Sequence, residues 1–477
     1  MTTTEFKQMI LQHFGFAPTA DQHNALHVFA SFLACRQGMP AMILRGSAGT
    51  GKTSLVAAMV KTLLQLQQKV VLMAPTGRAA KVLSLNCQRP ATTIHRKIYR
   101  QKTIGGDFSL DVNLHTDTLF IVDEASMIST MPQLPADNMP AFIGNGGGVI
   151  DDLVTYVYSG RNCRLMLIGD TAQLPPVGEE EAPALQRSVM ECYGITAYEC
   201  DLSEVVRQHQ QSGILWNATM IRFLITHDSA TQLPRIRFKD FADVINLPGN
   251  ALIDSLADSY HRMGADDTVV ITRSNKRATI YNDGIRARVL DHDSELCSGE
   301  RLMIVKNHYF NDNSSFFIAN GDMAVVRRMR NVRDLYGFRF ADLTLRFPDY
   351  DDMEMEMTAI LDALHSDAPA LTSAQHKQLY DAVMEDYMHI PRKDERMKQF
   401  REDKYYNALQ VKYAYAITCH KAQGGQWSHV YLDQGYMTDD MLTPDYIHWL
   451  YTAFTRATET LFLVNWPKEQ CENIVVN

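Results

Sequence analysis

The sequence predicts an α/β protein of two parallel-sheet units, with a β-hairpin inserted in the first and a small β-barrel with a helical insertion in the second. Three observations carry that prediction. A short apolar strand, Ala41–Leu44, runs into a glycine-rich turn and then a helical pattern through Leu66. Two further apolar strands, "TLFIVDEAS" and "RLMLIGD", end in carboxylates, as buried parallel strands do when they feed a crevice. Later, "RLMIVKNHYF", "DMAVVRRMR" and "ADLTLRF" alternate with period two, the pattern of a small barrel from about residue 297 to 347.

Composition agrees with this and narrows the class. At 477 residues the chain exceeds one ordinary core and fits two to four domains. Its 46% hydrophobic and 21% charged residues are those of a globular protein. No stretch reaches the apolar length of a bilayer span, and the opening "MTTTEFKQMILQHF" lacks the parts of a signal peptide, so a cytoplasmic location is expected. The 8 cysteines are scattered without a Cys-x-x-Cys pair, which argues against a zinc or iron–sulfur framework. The net charge of -9 gives no hint of nucleic-acid affinity and does not exclude it, because a narrow basic groove can sit on an acidic protein.

The turn after the first strand reads Gly46-Ser47-Ala48-Gly49-Thr50-Gly51, with Lys52, Thr53 and Ser54 opening the helix. Strand before and helix after is the context of a phosphate-binding Walker A loop. Its glycines let backbone N–H groups close around phosphate oxygens, and the helix N-terminus adds partial positive charge. Lys52 is expected on the β/γ-phosphates of ATP and the Thr53 hydroxyl on Mg²⁺. In "TLFIVDEAS", Asp123 is expected to order the Mg²⁺ shell and Glu124 to take the proton of an attacking water. After "RLMLIGD" comes Thr-Ala-Gln173-Leu-Pro-Pro-Val177, in which Gln173 would sense the γ-phosphate or position that water. The prolines stiffen the loop, so Pro175 and Val177 could form a ledge for a ligand.

The tract "YRQKTIGGDFSLDVNLHTD" between residues 99 and 117 reads as a hairpin turning at Gly105-Gly106. "GNGGGV", Gly144–Val149, lacks a Gly-Lys-Thr ending and reads as a flexible loop. In "DTVVITRSNKRA" the strand ends in Thr272, Arg273 and Asn275, which would contact nucleotide or nucleic-acid backbone, or be solvated loop. Asp349 to Lys404 is charged, Met-rich and helical in pattern, either a solvated helix face or a protrusion. The resulting boundaries are 1–205 for the first unit with its 99–117 hairpin, 206–296 plus 406–477 for the second, and 297–405 for an inserted SH3-like barrel.

In order along the chain, "PTADQHNAL", "MAPTGRAAKVL", "ATTIHRKI", "VDEAS", "GDTAQLPPVG", "SEVVRQ", "HKAQGGQW" and "YTAFTRA" resemble the Q motif, motif Ia, the DNA-contact motif after it, and motifs II to VI of superfamily 1 helicases. They run from Pro18 to Ala457, and "QLPPV" with "KAQGG" is similar to the RecD-like 5′-to-3′ branch. Because the Q motif is reached by Pro18, the compact form without an extra N-terminal region is expected. The resemblance implies two RecA-like motor domains with ATP between them, adenine read by Gln22, and arginine fingers at Arg207 and Arg456. It also implies single-stranded DNA lying across both domains, and duplex junctions split by the hairpin acting as a pin, unless that is an ordinary surface hairpin. The implied strand contacts are Thr76, Arg78, Thr92, His95, Asn275, Thr418, His420 and Lys421, with Pro175 and Val177 as the ledge beneath bases. Tyr415 is a stacking candidate or core. A monomer is expected, with protein partners unspecified.

The glycine pair in "TCHKAQGGQW" needs its own reading. No Gly-Lys-Thr follows, so it is not a second nucleotide loop. In a strand, adjacent Cys419 and His420 point to opposite faces and do not grip one ion. Read as motif V, the segment puts Thr418, His420 and Lys421 on the strand while Gln423 and Gly424 turn the backbone toward ATP. Two rivals stand beside the helicase reading: a nucleic-acid-stimulated translocase that remodels RNA or protein complexes, and a P-loop ATPase that binds only proteins. A nuclease is disfavoured, since no additional carboxylate cluster with a lysine is present.

Overall fold

The computed structural model describes residues 2–101, 108–132, 142–143, 147–205, 212–227, 232–310, 317–438 and 441–472. Its first domain is built on a six-stranded, wholly parallel sheet in the order Ala91–Thr93, Lys69–Ala74, Thr118–Val122, Arg164–Gly169, Met39–Gly46, Ile195–Leu202. Thr118–Val122 and Arg164–Gly169 are buried along their whole length, which is why both read as unbroken apolar runs. The helices Thr3–Phe14, Ala20–Ala34 and Lys52–Gln65 cover one face through Phe6, Ile10, Phe29, Leu55 and Met59.

The second domain carries a parallel sheet in the order Val244–Leu247, Ala457–Val464, Trp427–Asp433, Thr268–Thr272, Ala416–Thr418. The helices Gly213–Thr226 and Pro444–Phe454 share its core, with Ile214, Ala218 and Ile221 in the same apolar cluster as Ile447 and Leu450. In both domains the candidate residues lie at the C-terminal ends of parallel strands, where open α/β sheets place their ligands.

The inserted barrel is closed and five-stranded: Arg301–Ile304, Met323–Leu335, Phe338–Phe347, Met353–Ile360 and Leu409–Tyr413. Two expectations change here. The acidic start of the tract read as helical, "MEMEM", is a barrel strand in which Glu354 and Glu356 face solvent and Met357 faces the core. Leu409–Tyr413, assigned from sequence to the second motor domain, is the strand that closes the barrel. Helices Ser373–Asp386 and Lys393–Arg401 are present between those two strands. They are not merely solvated, since Leu379, Val383 and Phe400 pack with Phe340 and Ile360 of the barrel.

Tyr99–Gln101 and Phe108–Leu110 pair antiparallel as the stem of a hairpin, and Phe142–Ile143 adds a parallel third strand. The Gly105-Gly106 turn lies outside the described residues. Within the expected loop Gly144–Val149, Gly148 caps the helix Val149–Ser159, its N–H donating to Asp151 Oδ2 at 2.8 Å, so that end of the segment is a helix start. Among the described residues no helix is long and apolar enough to cross a membrane.

Candidate nucleotide and nucleic-acid site

The loop from Gly46 to Gly51 joins its strand to the helix Lys52–Gln65 in the expected register. Gly49 and Gly51 both sit at φ +78°, a left-handed conformation that glycine adopts without strain. A methyl group on Gly46 would lie 2.9 Å from both Lys52 Cγ and Thr50 Oγ1, so the loop closes tightly there. Lys52 Nζ donates to the carbonyls of Gly46 and of Ser47, the latter at 2.9 Å. Thr53 and Ser54 stand exposed on the first turn of the helix. Gln22 is placed differently from a free adenine reader. Its Oε1 accepts the Thr19 N–H in a capping box and its Nε2 donates to Thr50 O at 2.9 Å, so the amide is engaged at both ends and ties the helix start to the loop.

Asp123 and Glu124 follow the buried strand Thr118–Val122, beside the loop. Desolvation first, and then the Glu124 charge, push the Asp123 carboxyl up to about 7, while the Glu124 N–H and Lys52 pull the other way. A crowded carboxylate pair in a poorly hydrated crevice fits a divalent cation, whose charge would relieve the crowding. Glu124 itself is held in the left-handed region at φ +51°. Gln173 is buried, and its Oε1 has no hydrogen-bond partner among the described residues. The ledge divides: Pro175 is buried, whereas Val177 is 79% exposed. Only Val177 offers an apolar surface there.

The second domain reaches directly onto this loop. Tyr451 Oη accepts the Ala48 N–H at 3.0 Å and donates to Asp170 Oδ2 at 2.6 Å. Arg222 Nη1, on the helix Gly213–Thr226, donates to Ser47 Oγ at 3.0 Å. The Leu174 N–H donates to Thr452 Oγ1 at 2.7 Å, and Gln423 Nε2 donates to Leu174 O at 2.7 Å. Neither Tyr451 nor Arg222 emerged from the sequence reading. A lone cation in the apolar helix "GILWNATMIRFLIT" was the available signal for Arg222.

Two residues expected at the cleft have protein partners of their own. Arg456 is buried, with Nε on Thr452 O at 3.0 Å, Nη1 on Gly425 O at 3.1 Å and Nη2 on Thr455 Oγ1 at 3.0 Å. All three bonds hold its guanidinium to its own domain. Gly424, at φ +72°, is pressed against the first domain's helix Gly77–Cys87: a methyl group there would lie 2.9 Å from Ala79 Cβ and 3.2 Å from Thr76 Oγ1. It is a contact between the two domains. Arg207 lies outside the described residues.

The remaining candidates are placed as follows. Thr76 caps the helix Gly77–Cys87. Arg78 spans the domains, its guanidinium 4.1 Å from the Trp427 ring centroid and Nη2 on Gln426 O at 2.8 Å. Both of these contacts are with the second domain. Thr92 and His95 flank the start of the short helix Ile94–Ile98, and the His95 ring lies 6.4 Å from Phe317, in the two-stranded ribbon between the first two barrel strands. Asn275 and Thr418 line one small cavity with Asn282 and Lys412. Cys419–Ala422 is a helical turn rather than a strand, yet Cys419 is buried and His420 exposed, so they still diverge. Lys421 Nζ reaches Asn320 of the barrel, and burial pushes its ammonium down to about 8.

The barrel closes over the same face. Asp322 Oδ1 would stand 2.8 Å from a methyl group on Gly77, Tyr350 Oη donates to Asp322, and Arg96 lies 3.9 Å over the Tyr350 ring. Burial pushes the Asp322 carboxyl up to about 6. Tyr415 is core: its Oη donates to buried Glu300 at 3.0 Å. Glu300 lies near His292 and Cys297, but Arg286 takes both its oxygens at 2.9 and 3.2 Å, which makes that trio a structural network.

Sheet topology, the phosphate loop and its bracing from a second parallel-sheet domain define a two-domain P-loop motor architecture. Residues 33–136 match the family model described as an AAA domain, and residues 413–464 that of a UvrD-like helicase C-terminal domain. With the motif order, these matches make the chain similar to RecD-like helicases of superfamily 1. The ATP-dependent RecD2 DNA helicase of Deinococcus radiodurans is 33% identical over 149 residues, 31% of this chain and 18% of that one, so the match spans less than a fifth of that relative. Among solved structures, Pif1 helicase from Bacteroides in complex with ADP-AlF3 and ssDNA aligns over 96% of this chain and 95% of that one, at 14% identity and a TM-score of 0.44. Pif1 helicase from Candida albicans aligns over 96% and 97%, at 15% identity and a TM-score of 0.42.

Proposed function

We propose that this chain is an ATP-dependent DNA helicase that moves 5′ to 3′ along single-stranded DNA and separates duplex, coupling Mg-ATP hydrolysis between its two motor domains to strand movement. The observation that carries this reading is that the domains meet at two places with different chemistry. At one, Tyr451 and Arg222 of the second domain bond Ala48 and Ser47 of the phosphate loop. At the other, Gly424, Gln426 and Trp427 bear on Thr76, Arg78 and Ala79. Any change of domain separation at the loop is therefore felt at the strand-side motifs, as a hinge mechanism requires.

In this account the loop amides and Lys52 bind the phosphates of ATP, and Thr53 with Asp123 hold Mg²⁺. The ion supplies positive charge against the phosphate oxygens. Glu124 accepts the proton of the attacking water, while the unpaired Oε1 of Gln173 accepts a hydrogen bond from that water and orients it. Thr76, His95, Thr418, His420 and Lys421 hold strand phosphates, which positions DNA without reading its sequence. The 5′-to-3′ direction and the use of the hairpin as a pin rest on resemblance. Single-stranded DNA and duplex junctions are the proposed partners, and a cytoplasmic monomer the proposed form. Hydrolysis measured with and without single-stranded DNA tests the reading. The wild type should be stimulated and Lys52→Ala inactive; an unstimulated wild type, or an active Lys52→Ala, would overturn it.

A further inference from the structure

The sequence motifs nominate Arg207 and Arg456 as the arginines that act on the transferring phosphoryl group, but among the described residues another arginine reaches the phosphate loop. Arg222 comes from the second domain and donates to Ser47 Oγ at 3.0 Å. Lys52, from the first domain, donates to Ser47 O at 2.9 Å. Two cations from opposite sides of the cleft thus converge on one loop residue, and a polyanion between them is the arrangement their charges favour. Tyr451 holds the neighbouring Ala48 N–H, and Arg222 lies close enough to act on the Tyr451 hydroxyl electrostatically.

The helix that carries Arg222 is firmly seated. Ser212 caps its N-terminus, Asp243 accepts from Ser212 Oγ at 2.6 Å and from the Gly213 N–H at 2.8 Å, and Asn217 Nδ2 donates to Arg237 O at 2.9 Å. Ile221, beside Arg222, is fixed in the second domain's core. No carboxylate pairs with Arg222 among the described residues. Arg456, in contrast, commits its guanidinium to Thr452, Gly425 and Thr455.

We propose that Arg222 is a catalytic residue whose guanidinium contacts the terminal phosphoryl group of ATP across the domain cleft. This rests on the ATPase reading above. Water oxygen forms a bond to the γ-phosphorus, and the bond from that phosphorus to the β–γ bridging oxygen breaks. Its electron pair leaves with ADP, and the water's proton passes to Glu124. Arg222 neutralises charge on the oxygens in flight, and it makes the contact only when the domains are closed.

The test uses the full chain with Arg222→Ala and Arg222→Lys beside the wild type and Lys52→Ala. With single-stranded DNA present, Arg222→Ala should lower kcat about 100-fold or more with KM little changed. Arg222→Lys should recover part of the loss, because it restores charge without the planar fork. Independently of turnover, Arg222→Ala should retain ADP affinity but lose the extra affinity for ADP with aluminium fluoride. A kcat within about threefold of wild type overturns the proposal. So does an equal loss of ADP and ADP–aluminium fluoride binding, which marks a structural role. If the wild type hydrolyses ATP, Lys52→Ala does not, and Arg222→Ala behaves as wild type, this inference alone fails. A wild type that does not hydrolyse ATP overturns both.

Discussion

Removing one hydroxyl group, in Tyr451→Phe, separates the two functions of the domain contact at the phosphate loop. Tyr451 is almost wholly buried and donates to Asp170, itself 2% exposed, while accepting the Ala48 N–H. Phenylalanine keeps the ring and its packing. It leaves a buried carboxylate oxygen without its donor and a loop amide without its acceptor. Losing a donor to a buried charge and orphaning an amide together cost about 2–5 kcal/mol, with the lower end expected because the amide is only partly buried. Nucleotide binding should move the other way. A phosphate oxygen that takes the Ala48 N–H must first displace Tyr451, and a net bond of about 1 kcal/mol no longer opposes it, so the affinity for ATPγS should be unchanged or about fivefold tighter. Thermal unfolding without nucleotide, paired with fluorescence titration, reads both quantities. An unchanged melting temperature, or weaker nucleotide binding, would refute the assignment of Tyr451 as the loop's resting partner.

Glu124→Gln should bind ATP and lower turnover by about 100-fold in a steady-state assay, since the amide accepts no proton; normal turnover would remove Glu124 as the base. Asp322→Asn tests the barrel contact through pH. The Asp322 carboxyl is raised from 3.8 to about 6 in the fold, so the native state holds its proton more tightly, and stability falls as pH rises through that window. The amide keeps an acceptor for Tyr350 and Ala319 without the charge. Asparagine should therefore stabilise the protein by about 2–3 kcal/mol above pH 6, the gain vanishing toward pH 4, in urea titrations at the two pH values. Gly424→Ala combines a left-handed backbone with a clash on Ala79, and should cost about 1–3 kcal/mol of thermal stability together with part of the stimulation by single-stranded DNA. Wild-type stability and stimulation in that variant would show that the domains do not meet there.

The phosphate loop was legible because its chemistry is a backbone requirement: Gly49 and Gly51 occupy conformations that few other residues tolerate, and Lys52 must follow them. The buried parallel strands were legible as apolar runs ending in Asp123 and Asp170. The strand "MEMEM" was not, because its acidic outer face masked the alternation that marks it. Resemblance located motif residues but not the surface each presents. Gly424 proved to touch Thr76 and Ala79, Arg78 to lie on Trp427, and Arg456 to hold its own domain's backbone. Tyr451 and Arg222 act across the cleft, some four hundred and nearly two hundred residues from their partners Ala48 and Ser47, a pairing that no local pattern encodes.

Unwinding of a forked duplex with a 5′ single-stranded tail, set against the same duplex with a 3′ tail, tests the central claim most directly. The account predicts ATP-dependent strand separation on the 5′-tailed substrate, none on the 3′-tailed one, and none with Lys52→Ala. Separation of the 3′-tailed duplex instead would contradict the direction. ATP hydrolysis stimulated by DNA without separation of either substrate would contradict the helicase reading and leave a translocase that remodels bound complexes.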